Sequence, residues 1–519
     1  MRWLLHAVAL ALLVAAPARG AALPIVIVPG LTFSDLEALS ARGAVGLLVP
    51  GAGPETSEAQ AKASLVRAKV RNSLLGGSVK GPSLVRQRTA SKPPARGPAI
   101  VLALPRGSAQ PNDRRYPIAV LAEGYRGLLT SRSTRIPGLV SIVDVAPTAL
   151  GRSGRLRATE HGDPVAALSS LDRRIRANGR ARLPLFLLAA GVVAAAALIA
   201  PRAGVLGLAG ALAANLGLGL ADASAAAIVF LVTVVAIVAA ALLGLVLRSP
   251  TLVGVLLAAI IAAYLIALAV DDPSVALSPL GPTQNGRFFG LSNLLSTLLL
   301  VPAVAAAALL GRRFGPVGMA VVAVIALVAV AGNRFGADGG GAVVLVAGFA
   351  ALAVAMAGGG ARRLALALAA AAGAAAAVVG LDAATGGSSH VTDAAGGGPG
   401  EVASDLARRL QLSYERTVDR WYVALVVAGG IVVLALLLVR LLRTRRAHHG
   451  REVLLALAVA VAVSLVVNDS PNDVVLAGLL GCIAVARYPW PRSARRLSRP
   501  EDESSIRKSA RARLPHISA

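Results

Sequence analysis

From residue 183 onward the chain alternates apolar runs with short polar breaks. The runs cover 183–200, 203–221, 224–247, 251–270, 291–310, 316–331, 342–357, 364–381, 421–439, 452–467 and 474–486. A helix rising 1.5 Å per residue needs about 20 apolar residues to cross a hydrocarbon core about 30 Å thick. The pattern predicts a polytopic α-helical membrane domain, residues 183–487, of about 11 transmembrane helices. The first stretch differs: Arg2, an apolar run from Trp3 to Ala16, then Pro17-Ala18-Arg19-Gly20-Ala21-Ala22. That order of basic, apolar and small residues predicts a signal peptide or signal anchor over 1–22.

Between these lie short apolar runs closed by turn residues, which predict one α/β domain over 23–165. Pro24-Ile25-Val26-Ile27-Val28-Pro29-Gly30 suits a strand buried on both faces of a parallel sheet. Ala44 to Val49, Ala99 to Leu104 and Ile118 to Ala122 are further strands. Ser34 to Arg42 reads as a helix capped by Ser34, with Glu37 completing a capping box. Residues 76–97, rich in Ser, Pro, Lys and Arg, read as an irregular loop. Residues 166–182 form a basic linker, and 488–519 a basic tail.

Charge sets the orientation. The arginines at 202, 248, 312–313, 362–363 and 440–451, and the tail from Arg487, fall on alternate breaks, so the positive-inside rule makes those breaks cytoplasmic. The N-terminal domain is then extracytoplasmic, as the leader requires, and the protein is expected in the bacterial cytoplasmic membrane. The net charge is +26, and Leu23 to Arg182 hold 24 Lys and Arg against 10 Asp and Glu. A basic surface beside a membrane favours anionic lipid or envelope polymers as partners, and an exported, anchored domain is no place for nucleic acid. Arg173, Arg174, Arg176, Arg180 and Arg182, before the first crossing, go against the rule and are expected to lie on anionic lipid. Cys482 is the only cysteine and falls in an apolar run, so the exported part has no disulfide.

Three polar sequences interrupt the apolar half: Gly286 to Asn293, Gly332 to Gly340 and Asn468 to Asp473. Each stands at the end of a crossing, and the loop charges place all three on the extracytoplasmic face. Ionisable groups at membrane depth cost about 2.5–3.5 kcal/mol each on insertion scales, so such a cluster points to function. The expected binding site comprises Asn285, Arg287, Asn293, Asn333, Arg334, Asp338, Asn468 and Asp469. The arginines would grip phosphate or pair with Asp338 and Asp469, and the asparagines suit sugar hydroxyls. Structural ion pairing is the competing reading of the same residues. Asp473 is read as a helix cap and Asp271 as solvated, and Glu401 to Asp419 as an amphipathic helix along the outer surface. His390 is expected in an exposed loop, and Arg443 to His449 as a topology anchor.

Two groups of residues carry a resemblance. Gly127 to Ser141 with Asp144-Val145-Ala146-Pro147-Thr148-Ala149-Leu150, and the Gly30-Leu31-Thr32 and Gly43 to Leu47 segments, resemble actinobacterial multi-pass membrane proteins of unassigned activity. The exported domain of those proteins looks like the alkaline phosphatase and sulfatase superfamily. Their membrane half carries segments similar to Arg287 to Asn293, Gly336 to Gly340 and Asn468 to Ser470. In active phosphatases of this kind the first strand ends in a metal-binding Asp, where this chain has Pro29, and His161 is the domain's only histidine. The resemblance therefore implies a degenerate alkaline-phosphatase-like fold, a pseudoenzyme with no catalytic residue, metal or cofactor assigned. Thr32, Thr56, Ser57 and Ser73 are hydroxyls without an activating base, and Asp144 is a turn or cap residue.

The expected function is cell-envelope biogenesis: binding and translocation of a lipid-linked or anionic envelope intermediate through an outward-facing polar site. A membrane-embedded glycosyl or phosphoglycosyl transferase using a polyprenyl-linked donor is the enzymatic alternative. A non-catalytic scaffold or sensor recruiting envelope-synthesis proteins is the third.

Overall fold

The computed structural model describes residues 22–152, 154–282, 288–332, 335–336, 339–357, 362, 366, 369, 399–443 and 450–491. The leader up to residue 21, the apolar run 364–381 apart from Leu366 and Ala369, His390, the His448–His449 tract and the tail from 492 lie outside the described residues.

The N-terminal region is a mixed sheet with helices on its faces. Its strands are β1 (Ile25–Ile27), β2 (Ala44–Val49), β4 (Gln87–Thr89), β5 (Ala99–Leu102), β7 (Tyr116–Leu121), β8 (Gly127–Ser131), β9 (Leu139–Ser141) and β10 (Leu156–Thr159). They run in the order β10-β8-β2-β7-β5-β1-β4, with β9 on the C-terminal half of β2. β3 (Glu55–Thr56) and β6 (Gln110–Pro111) form a separate ribbon. β1, β2 and β5 are buried along their whole length, which is why their sequences are continuous rather than alternating.

Three expectations change here. The sheet is not all parallel, because β7 runs antiparallel to both β2 and β5; strands buried on both faces carry no directional signal. The loop 76–97 also contributes an edge strand, β4, parallel to β1. Helix α1 (Phe33–Ser40) starts at Thr32, not Ser34. Asp35 accepts from the Thr32 N–H and hydroxyl, both at 2.7 Å, so the capping box is Thr32–Asp35. Those bonds hold the Asp35 carboxyl below its ordinary range. Helices α2 (Glu58–Arg67) and α3 (Val145–Ala149) complete this region.

The expected linker 166–182 is helical. α4 (Pro164–Ile199) begins against the sheet, where Leu168 and Ile175 are buried, and continues unbroken into the apolar half. The helices that follow are α5 (Ala203–Leu220), α6 (Ala226–Val246), α7 (Pro250–Val270), the short α8 (Asp272–Ala276), α9 (Asn293–Ala331), α10 (Gly339–Ala357), α11 (Pro399–Val418), α12 (Trp421–Arg443), α13 (Arg451–Val467) and α14 (Pro471–Ala486). Among the described residues seven helices are long and apolar enough to cross a membrane, which fits a membrane protein. α9 folds back on itself at Gly315, whose φ of +66° precedes Pro316. A Cβ on Gly318 would meet the Leu310 carbonyl at 2.5 Å, so the two arms lie side by side. Small residues set the close helix contacts: a Cβ on Gly210 of α5 would meet the Ala236 carbonyl of α6 at 2.5 Å.

The helix ends sort into two groups. At one end lie the turns bearing Arg202, Arg248, Arg312 and Arg313, the C-terminus of α12 with Arg440 and Arg443, and Arg451 and Arg487. There Arg312 pairs with Glu452 at 3.3 Å, and Trp490 packs on Gly450. Tyr488 and Trp490 are buried against each other, so the expected tail is folded at its start. The opposite end carries the α/β region and the three polar sequences.

Candidate functional site

At that end α4 is a strut rather than a ribbon on lipid. Arg174 is buried, pairs with Asp222 and donates to the Gly219 carbonyl at 2.7 Å. Asn178 donates to Leu277 O at 2.6 Å, and Arg182 reaches Gly281 O at 3.1 Å and Asp473 at 3.2 Å. The arginines that go against the positive-inside rule are therefore partly consumed by internal pairs; Arg173 and Arg180 remain exposed. Asp473, expected to cap α14, instead sits in its first turn facing Arg182. Nearby Asn215 joins Tyr264 (3.0 Å) and Ser278 (3.1 Å) and accepts from the Leu280 N–H at 2.9 Å, a satisfied polar knot with no counterpart in the sequence reading.

The first polar sequence is held from both sides. Phe288 is buried in the lower core of the α/β region with Leu36, Leu168 and Leu277, and the Arg135 guanidinium lies 4.2 Å from the Phe289 ring centre. Ser292 caps α9, accepting from the Leu295 N–H at 3.1 Å and donating to Leu280 O at 2.8 Å. Gly290 touches the second sequence at Gly336, and the Leu291 N–H points to Gly336 O at 3.4 Å. The Asn293 amide donates to Asp469 Oδ1 of the third sequence at 2.9 Å. Three stretches almost 180 residues apart thus converge.

Of the expected site residues, Asn293, Asn468 and Asp469 come together. Asn285, Arg287, Asn333, Arg334 and Asp338 lie outside the described residues. Asn468 ends α13 and donates to Ser464 Oγ at 2.7 Å. The cation on Asp469 among the described residues is Arg416 of α11, at 3.2 Å, a residue the sequence reading did not single out. Arg416 also donates to the Asp469 carbonyl and, at 2.9 Å, to Ser470 Oγ, while Ser413 one turn earlier donates to Asn468 O at 2.6 Å. Just beneath, Ser296, Thr297, Ser464 and Asn468 line a cavity of about 10 Å³ between α9, α10 and α13, room for one water.

In the α/β region Thr32, Ser57 and Ser73 serve local structure, while the buried Thr56 hydroxyl has no hydrogen-bond partner. Thr32 and Ser57 cap α1 and α2, and Ser73 accepts from the Glu55 N–H at 3.3 Å. The Pro29 carbonyl at the end of β1 is taken by Arg106 at 2.8 Å. Asp144 is fully buried; its backbone begins α3, and its carboxylate accepts from the Ser131 hydroxyl and Ser133 N–H, both at 2.9 Å. It knits the 131–144 loop beyond the capping role expected of it. Family models, curated proteins and solved structures give no match to this chain.

Proposed function

We propose that this chain is an integral membrane protein of the bacterial cell envelope that binds and translocates a lipid-linked or anionic envelope intermediate. The site is the junction of Asn293, Asn468, Asp469 and Arg416, extended by Asn285, Arg287, Asn333, Arg334 and Asp338. The observation that carries this reading is the Asn293–Asp469–Arg416 chain of contacts, which joins helices α9, α11 and α13–α14 at one end of an apolar bundle. Carboxylate, guanidinium and amides together suit a phosphate bearing a sugar. Asp469→Asn keeps the shape but removes the charge. The wild-type protein purified in detergent is expected to carry one anionic species enriched over bulk lipid by mass spectrometry, and Asp469→Asn to lose it. Identical species in both would overturn the reading.

The topology belongs to the same proposal. The described chain reaches the arginine end at Ala357 and resumes at the opposite end at Pro399, and we count 364–381 as a crossing on that ground, with α9 counted twice. Eleven crossings follow an exported domain led by a signal segment, with the arginine end cytoplasmic. The α/β region is read as a phosphatase-like pseudoenzyme, supported by Pro29 and the capping duty of Thr32 and Ser57. On a Cys482→Ala background, a membrane-impermeant maleimide is expected to label Ala221→Cys in intact cells. Ser249→Cys should react only after permeabilisation, and the reverse pattern would invert the protein.

A further inference from the structure

Helix α11 presents two different sides. At about 100° per residue, Arg409, Ser413 and Arg416 fall on one stripe, and Leu410, Tyr414 and Val418 on another, followed by Trp421 at the start of α12. The first stripe meets the bundle: Ser413 and Arg416 hold the Asn468–Ser470 backbone and the Asp469 carboxylate. The second faces away. Tyr414 is 65% and Trp421 75% exposed, and Leu410, Val418 and Tyr422 are exposed as well. Beyond the bend at 419–420, Leu425, Val426, Ile431, Val432 and Leu436 of α12 are exposed as well, on an apolar helix whose exposed face is the side a bilayer would cover. A polar sector with Gln411, Glu415 and Asp419 completes the helix. Such a helix belongs at the water–lipid boundary, with its aromatic residues at headgroup level.

Access from above is restricted on both flanks. Phe288 and Phe289 are pinned under the α/β region, and α11 packs against the Ser73–Leu75 turn of that region. Among the described residues the Asp469 side chain is 33% exposed and lies against α11, whose outer stripe is apolar. Resting on the binding-site reading above, we propose that the site is entered laterally from the leaflet on the domain side and takes a lipid-anchored phosphate, with Arg416 as the residue that grips it. In the structure Arg416 is paired with Asp469. An arriving phosphate competes for the guanidinium while its hydrocarbon tail stays among Leu410, Tyr414 and Val418. A water-soluble anion has the same headgroup chemistry but gains nothing from that stripe.

The test uses the full-length protein in detergent and follows its melting temperature. Four probes are titrated: dioleoylphosphatidate, dioleoylphosphatidylcholine, sn-glycerol 3-phosphate and inorganic phosphate. Phosphatidate should raise the melting temperature saturably, and the other three should not. Arg416→Gln should weaken the half-saturation on the order of tenfold, the loss of one charge-assisted contact pair. Val418→Asp, which leaves Arg416 in place, should also lose the phosphatidate effect while melting as the wild type without lipid, and it decides the matter if Arg416→Gln does not fold. A phosphatidate shift retained in both variants overturns the proposal. So does an equal shift with glycerol phosphate, although the anion-site reading then stands. No shift with any phosphate compound brings down both.

Discussion

Asp172→Ala is expected to cost about 3–5 kcal/mol, the penalty for removing one partner of a buried ion pair. Asp172 lies in the third turn of α4, where its side chain is 5% exposed. Its Oδ1 accepts from Arg115 Nε at 2.5 Å, and its Oδ2 pairs with Arg176, one turn along the same helix. Arg115 itself is 4% exposed and stands just before β7, so this contact fixes the long helix to the sheet. Burial pulls the Arg115 guanidinium down to about 10, with Asp113 opposing the shift, and Arg115 Nη2 already has no hydrogen-bond partner. Without Asp172 the guanidinium would stay buried with nothing to balance it, whereas the half-exposed Arg176 could turn to water. For a domain of this size the melting temperature of the α/β region should fall on the order of 10 °C, read as earlier proteolysis of that region on heating. The double variant Arg115→Met with Asp172→Leu should recover most of the loss, because apolar replacement of a whole buried pair is often close to neutral. A single variant that melts like the wild type would show that α4 is anchored by Leu168 and Ile175 alone.

What the sequence made legible follows from how strongly each environment constrains composition. Helices in an apolar bundle must be apolar along most of their length, so ten of the eleven expected segments coincide with described helices. The strands β1, β2 and β5, and β7 after the partly buried Tyr116, were legible for the same reason, being buried. Direction was not, since burial on both faces is satisfied by either orientation, and β7 runs against its neighbours. β4 escaped because an edge strand of Gln87, Arg88 and Thr89 is half exposed and need not be apolar. The α1 cap slipped by two residues because Thr32-x-x-Asp35 and Ser34-x-x-Glu37 satisfy the same rule, and only the folded backbone chooses between them.

The site was legible as a set of loops but not as a set of pairs. Glycine, asparagine and aspartate at helix ends mark Gly290, Asn293 and Asp469 in any reading, yet which cation meets which carboxylate depends on tertiary approach. Asp469 finds Arg416 and Asp473 finds Arg182, neither of them a pairing that spacing suggests. A signal for Arg416 did exist: the Arg409, Ser413, Arg416 stripe is a polar face on a helix whose other side is apolar. The basic residues of α4 were read as lipid-facing because local charge counting cannot see Asp172, Asp222 or Asp473 folding back onto them.

Gly290→Ala is expected to damage the site as severely as removing Asp469, although it deletes no polar group. Gly290 has a φ of +71°, a region that costs an L-residue roughly 1–2 kcal/mol. A Cβ there would lie 2.3 Å from the Gly336 carbonyl oxygen and 3.0 Å from that of Phe335, both backbone atoms that cannot turn aside. Gly336 has little room to retreat, because its N–H donates to the Ala329 carbonyl at 2.9 Å and a Cβ placed on it would lie only 2.4 Å from the Val330 carbonyl. The first and second polar sequences must therefore separate. Asn293, three residues on, would move with Gly290 and release Asp469. The purified variant should lose the co-purifying anionic species while the α/β region keeps its resistance to proteolysis, because the clash lies at the α9–α10 ends and not in the sheet. Gly429→Ala is the control, since a Cβ on that α12 glycine meets nothing within 4 Å and should leave binding intact. Retention of the bound species in Gly290→Ala would mean that contact between the first two sequences is incidental and that the site is built from α11, α13 and α14 alone.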